Sequence, residues 1–203
     1  KNCGLVFLSD FEHIDNKFYE ESGMHKEDFQ SKTIEDWLKE TRVDDLRRKN
    51  QHKLRLFDKN VLDFGCGNGG FLKEIKQISK KVVGVELEKS VLDYWEGNIE
   101  INSSIEDILN QKDEFDVITL FHVLEHLKDP IKILENISKC LKPNGQIIIE
   151  VPSSEDALLT LYDCEKFQNF SYWSQHLFLF NNKTIELLVK KSSLNIKSIE
   201  NYQ

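Results

Sequence analysis

The sequence predicts a doubly wound α/β fold on a parallel sheet, and three observations carry that expectation. Strand-like and helix-like patterns alternate almost throughout residues 54–203. The run Phe115-Asp116-Val117-Ile118-Thr119-Leu120-Phe121 is apolar enough to be covered on both faces, as strands of parallel sheets are. The run Val61-Leu62-Asp63-Phe64-Gly65-Cys66-Gly67-Asn68-Gly69-Gly70 ends an apolar strand in a knot of glycines ahead of a helical pattern.

Residues 9–53 are polar and charged, with scattered aromatics (Phe11, Phe18, Tyr19, Phe29, Trp37), and read as one or two helices laid over the domain. Residues 54–60 lead into a first strand over 60–64. A helix over 69–79 places Phe71, Leu72, Ile75 and Ile78 at helical spacing. Lys81 to Glu86 form a second strand ending at an acid, Ser90 to Glu96 a short helix, and Ile99 to Ile101 a weak third strand. Residues 115–121 are the fourth. Pro130 opens a helix, at the position where proline is favoured, with Ile131, Ile133, Leu134 and Ile137 inward. Leu141 to Gly145 read as a turn and Gln146 to Val151 as a fifth strand. An aromatic-rich insertion over 153–175 reads as a lid. Leu177 to Phe180, a helix over 182–192 and a strand over 194–200 finish the chain. The domain reading is an N-terminal helical segment over 1–53 and a ligand-binding domain over 54–203.

The chain has 203 residues, 39% of them hydrophobic, with 13 Phe and 3 Trp to fill a core. A net charge of -8 argues against a broad nucleic-acid surface. The one basic cluster, Arg47-Arg48-Lys49, follows acids and reads as a solvated helix face. Cys3, Cys66, Cys140 and Cys164 have no metal or redox spacing, which points to a reducing cytoplasm. No run approaches the roughly 18 apolar residues of a membrane helix. Lys1-Asn2-Cys3-Gly4-Leu5-Val6-Phe7 reads as cut from something longer, with Cys3-Gly4 as the last knuckle of a zinc ribbon at 1–8. One cysteine cannot hold zinc, so no metal is expected.

The spacing of Gly65, Gly67 and Gly70 fits a dinucleotide fingerprint, and Glu86 follows about 20 residues on, where an acid accepts from ribose hydroxyls. Nicotinamide and adenosylmethionine cofactors both carry that ribose, so Asp63 decides between them. A carboxylate beside a pyrophosphate is repulsive, and no Lys or Arg stands in the loop. The charge pattern favours a cationic, phosphate-free cofactor.

The segments VLDFGCGNGGFL (61–72), VVGVELEKS (82–90), SSIEDI (103–108), FDVITLFHVLEHLKDP (115–130) and LKPNGQIIIEVP (141–152) stand in an order that resembles the class I S-adenosylmethionine-dependent methyltransferases. The resemblance covers about 54–200. It implies a Rossmann-like seven-stranded sheet whose last strand is antiparallel, with S-adenosylmethionine as cofactor and S-adenosylhomocysteine as product. By the same resemblance Asp63, Gly65, Cys66 and Gly67 face the methionine part. Glu86 holds the ribose with Leu87 against adenine, Ile105 and Glu106 flank the adenine ring, and Phe121 and His122 lie beside the methionine and sulfonium.

Methyl transfer to a hydroxyl needs alignment and a base near neutrality, for which histidine is suited. His122, His126 and His176 are the candidates. On a helix His122 and His126 would share a face, with Glu125 between them. The alternatives are a pocket-shaping His122, a packed helix His126, and a His176 tying the lid to the sheet edge. The segment 171–178 resembles that of sugar C-methyltransferases, where a Glu-His pair precedes the Leu. Gln175 replaces that acid here, which leaves O- or N-methylation. The Cys3–Phe7 opening resembles the segment before such domains in sugar-modifying enzymes. The expected acceptor is a small molecule, a sugar or nucleotide-sugar, and the expected state a cytoplasmic monomer or homodimer with no nucleic-acid or membrane partner. Tyr162, Phe167, Phe170, Tyr172 and Trp173 either stack on that acceptor or form lid core. The rival readings are a non-catalytic cofactor-binding partner subunit and a nicotinamide oxidoreductase.

Overall fold

The computed structural model describes residues 3–10, 33–110 and 112–202. The readings made for 11–32 lie outside them. The chain forms two compact units. The larger holds the described parts of Asp15–Phe121 together with Ile137–Ile149, and the smaller those of Lys1–Ile14, His122–Asn136 and Glu150–Gln203.

In the larger unit, helix α1 (Ile34–Leu56) starts at Thr33, whose hydroxyl accepts from the Asp36 amide at 3.2 Å. It runs past the boundary expected at residue 53, because a helical pattern continues through His52 and Leu56, both buried. Strand β2 (Asn60–Phe64) is buried at every residue, which suits a central strand. It pairs in parallel with β3 (Lys81–Val85) on one side and β5 (Phe115–Phe121) on the other. β3 pairs in parallel with β4 (Glu100–Asn102), and β6 (Leu141–Glu150) completes the order β4-β3-β2-β5-β6 among the described residues. Chain order reverses across β2. The carboxyl ends of β2, β3 and β5 therefore frame the crevice in which doubly wound folds hold ligands.

Helices α2 (Gly70–Ile75), α3 (Lys89–Trp95) and α4 (Ile105–Leu109) connect these strands. Leu56, Val61, Leu72, Ile75, Val91 and Trp95 belong to one buried cluster, and each such side chain contributes about 1.5–3 kcal/mol by leaving water. α2 stops at Ile75, short of the expected 79. The turn expected at 141–145 is instead the start of β6, with a left-handed kink at Asn144 (φ 66°) inside the strand.

In the smaller unit, β1 (Val6–Phe7) pairs antiparallel with β7 (Phe178–Leu179). The chain enters α5 (Pro130–Ser138) at Pro130, and α6 (Ala157–Thr160) and α7 (Glu165–Ser171) occupy the insertion. α8 (Asn182–Lys191) opens with a capping box between Asn181 and Thr184. The antiparallel last strand expected over 194–200 is absent: these residues form no ladder, and Ile196 and Ile199 are exposed. The β7 edge pairs instead with β1. Among the described residues the main sheet thus has five strands where seven were expected. No helix among the described residues is long and apolar enough to cross a membrane.

Candidate functional site

After Phe64 the backbone turns through Gly65, Gly67 and Gly69, with φ of 73°, 51° and 76°, a region closed to most side chains. At Gly69 a Cβ would also stand 2.5 Å from the Trp95 indole nitrogen. The Gly65 and Cys66 amides donate to the Val85 carbonyl at 2.9 and 3.0 Å, tying the loop to the end of β3. Glu86 stands at that end. Its carboxylate accepts from the Gly67, Leu87 and Glu88 amides at 2.9, 2.7 and 3.2 Å. Burial raises the Glu86 pKa, and the three amides oppose the rise without cancelling it.

Asp63 is buried on β2, in register with Gly84 and Thr119. The Thr119 hydroxyl donates to its carboxylate at 2.6 Å. Burial pushes the Asp63 pKa up to about 7, against the Thr119 bond and the Arg48 charge. Burial likewise pushes the Cys66 thiol well above its usual range.

Trp37, Thr41, Asp45, Arg48 and His52 recur every three or four residues on α1 and so share one face. Trp37 lies 3.7 Å from where a Cβ on Gly67 would stand. Asn68 donates to the Thr41 hydroxyl at 2.9 Å, and Thr41 donates to Asp45 at 3.0 Å. The Arg48 guanidinium sits 4.8 Å over the Phe121 ring, and His52 stacks on that ring at 6.2 Å. Burial raises the Asp45 pKa to about 6. The expected solvated face at 47–49 is thereby corrected for Arg48. Sequence reasoning missed this stripe, and its one signal was polar residues at helical spacing. Three acids, Asp45, Asp63 and Glu86, thus surround the glycine loop with Arg48 among them, a field that suits a ligand carrying positive charge.

The remaining predicted cofactor contacts fall as follows. Leu87 is half-buried beside Glu86, and Phe121 is buried at the end of β5. Ile105 and Glu106 open α4 just past β4, where the Ser104 hydroxyl accepts from the Glu106 amide at 3.0 Å.

The three histidines belong to the smaller unit. His122 and His126 do not share a helix face as expected. His122 is left-handed (φ 56°), and Leu124–His126 is a single tight turn. The His122 ring lies 3.2 Å from both Glu125 and Glu150. Burial pulls its pKa down, but the two carboxylates outweigh burial and raise it to about 9. It is an imidazolium at neutral pH and a poor proton acceptor.

His126 and His176 lie together, with ring centroids 5.0 Å apart. Nδ1 of His126 meets the Gln175 carbonyl at 2.8 Å, and Nδ1 of His176 meets the Ser171 carbonyl at 2.8 Å. A carbonyl only accepts, so each Nδ1 carries a proton, and in the neutral ring Nε2 is then the nitrogen with the lone pair. Burial lowers the His126 pKa and keeps it neutral. Glu125 is fully buried beside them. Of the insertion's aromatics, Tyr162, Phe170 and Tyr172 are exposed, so they are not lid core.

A family model described as a methyltransferase domain matches residues 29–199. The ubiquinone biosynthesis O-methyltransferase of Coxiella burnetii is 32% identical over 105 residues, 48% of this chain and 45% of the relative. The chain thus spans about half the length of that relative. The enzyme of the same name from Hydrogenovibrio crunogenus is 23% identical over 184 residues, 83% of this chain and 70% of the relative. Among solved structures, a SAM-dependent methyltransferase from Archaeoglobus fulgidus is similar in fold, with a TM-score of 0.61 and 22% identity over 84% of this chain and 72% of that one.

Proposed function

This chain belongs to the methyltransferase domain family, and from that premise we propose that it transfers a methyl group from S-adenosylmethionine to a hydroxyl of a small-molecule acceptor. The observation that carries the reading is the convergence of Asp45, Asp63 and Glu86 on a glycine loop that holds no lysine or arginine of its own. That charge pattern repels a diphosphate and attracts an ammonium and a sulfonium. When bound, the cofactor supplies a methyl carbon already activated by its positive sulfur.

The chain's own residues have the following work. Asp63 and Asp45 balance the positive charge of the methionine part, and Arg48 offers a cation to its carboxylate. Gly65, Cys66, Gly67 and Phe121 let that part lie against bare backbone and one aromatic face. Glu86, already aligned by three amides, accepts from the ribose hydroxyls. Leu87 and Ile105 bound the adenine, and Glu106 accepts from its amino group. Within the smaller unit, His126 and His176 are the histidines whose Nε2 can accept a hydroxyl proton. His122, held as a cation by Glu125 and Glu150, orients the segment rather than serving as base.

Two features bear on the acceptor. The curated relatives carry the name O-methyltransferase, which supports oxygen as the methylated atom. The resemblance of the Cys3–Phe7 opening to sugar-modifying enzymes points instead to a sugar or nucleotide-sugar. Calorimetric titration with S-adenosylhomocysteine and with NAD tests the cofactor: binding of the first and exclusion of the second is expected, and the reverse ends the proposal. Labelled methyl transfer to a panel of sugars and of phenols then separates the acceptors.

A further inference from the structure

We propose that Glu125, His126 and His176 form a binding site for one divalent cation of the zinc class. One donor atom from each lies within 4.8 Å of the other two. Ligands at about 2.0–2.2 Å from a common ion fit that spread after small side-chain rotations. The second observation is independent. Glu125 is 0% exposed, and its Oε2 has no hydrogen-bond partner. A buried carboxyl oxygen without a partner is costly, and a bound cation removes that cost.

The surroundings match what a metal needs. Both imidazoles give Nδ1–H to a backbone carbonyl, Gln175 for His126 and Ser171 for His176. Such bonds fix the tautomer and aim Nε2, as they do for histidines that ligate metals. His122 plays the same part for the acid: it engages Glu125 Oε1 at 3.2 Å and leaves Oε2 as the ligand atom. Two imidazole nitrogens and one carboxylate oxygen form a borderline donor set, suited to Zn²⁺ and unlike the all-oxygen shell that Mg²⁺ requires. Three protein ligands also leave one position for an outside oxygen. The trio joins Glu125 and His126, neighbours in the chain, to His176 of the segment after α7.

The metal takes the same Nε2 atoms to which direct proton acceptance was assigned, and with the metal bound that direct role ends. Its test is therefore run without S-adenosylmethionine or acceptor, so its failure and that of the cofactor reading are distinguishable. The chain, stripped with EDTA, is titrated calorimetrically with Zn²⁺ and with Mg²⁺, then with Co²⁺ while visible absorption is recorded. One equivalent of Zn²⁺ at micromolar concentration, no competition from Mg²⁺ and ligand-field bands for Co²⁺ are expected. Glu125→Gln and His176→Gln should each weaken binding by at least about 100-fold, with circular dichroism confirming the fold. X-ray absorption of the Zn²⁺-loaded wild-type chain decides the matter even where a variant misfolds: imidazole nitrogen and oxygen scatterers support the site. A sulfur shell, no uptake, equal binding of Mg²⁺, or full affinity in both folded variants overturns it.

Discussion

Asp63→Asn changes stability with a sign that depends on pH. The carboxyl is buried, and its pKa stands at about 7 against 3.8 for an ordinary aspartate. Between those values the folded chain holds a proton that the unfolded chain has released. Stability from this group is therefore complete below about pH 4 and is lost as pH rises through 7. Three decades at 1.36 kcal/mol each make that loss about 4 kcal/mol. Asparagine cannot ionise. It can still accept from Thr119 through its oxygen, but its buried amide hydrogens cost about 1–3 kcal/mol if unmet. The variant should thus be no more than about 1.5 kcal/mol less stable than wild type near pH 5, and more stable near pH 8 by about 1–3 kcal/mol. Urea denaturation at both pH values, in the absence of cofactor and with equal m-values, measures this. A difference of the same sign and size at both would show that Asp63 is already ionised at pH 5, and the burial argument would fail. S-adenosylmethionine should move the other way, binding wild type more tightly as pH rises through 7 and the variant at least about tenfold more weakly at pH 8.

Further outcomes follow from neighbouring contacts. Glu86→Gln leaves one acceptor oxygen where three amides now converge and should lower stability by about 1–3 kcal/mol, read from the urea midpoint. Arg48→Ala removes the cation over Phe121 and should weaken S-adenosylhomocysteine binding about tenfold, the worth of one charge-assisted bond; unchanged affinity in calorimetry would remove Arg48 from the cradle. Gly84→Ala places a Cβ 2.7 Å from the Cys66 sulfur and 2.8 Å from Leu72, so thermal denaturation should show a loss of about 1–3 kcal/mol from overpacking.

The parallel sheet was legible because buried strands are continuous apolar runs, and β2 and β5 are such runs. Glycines announce their own geometry, so the loop at 65–70 was readable too. The α1 stripe was not. Thr41, Asp45 and Arg48 carry the residue types of a solvated face, and only the polar groups they meet reveal which way they point. His122 eluded the pattern because a left-handed φ outside glycine leaves no local signature. The His126–His176 pair is a long-range contact, invisible to spacing. The last strand failed because the Leu194-to-Glu200 run has strand-like alternation but no ladder partner.

The pairing of Val6–Phe7 with Phe178–Leu179 bears on how the polypeptide emerges from the ribosome. At about 5–20 residues per second, roughly 10–30 s separate the two halves of that ladder. The earlier strand waits through that interval for its mate, with Phe7 unpaired, whereas the β2–β3 ladder can zip as soon as its second strand clears the exit tunnel.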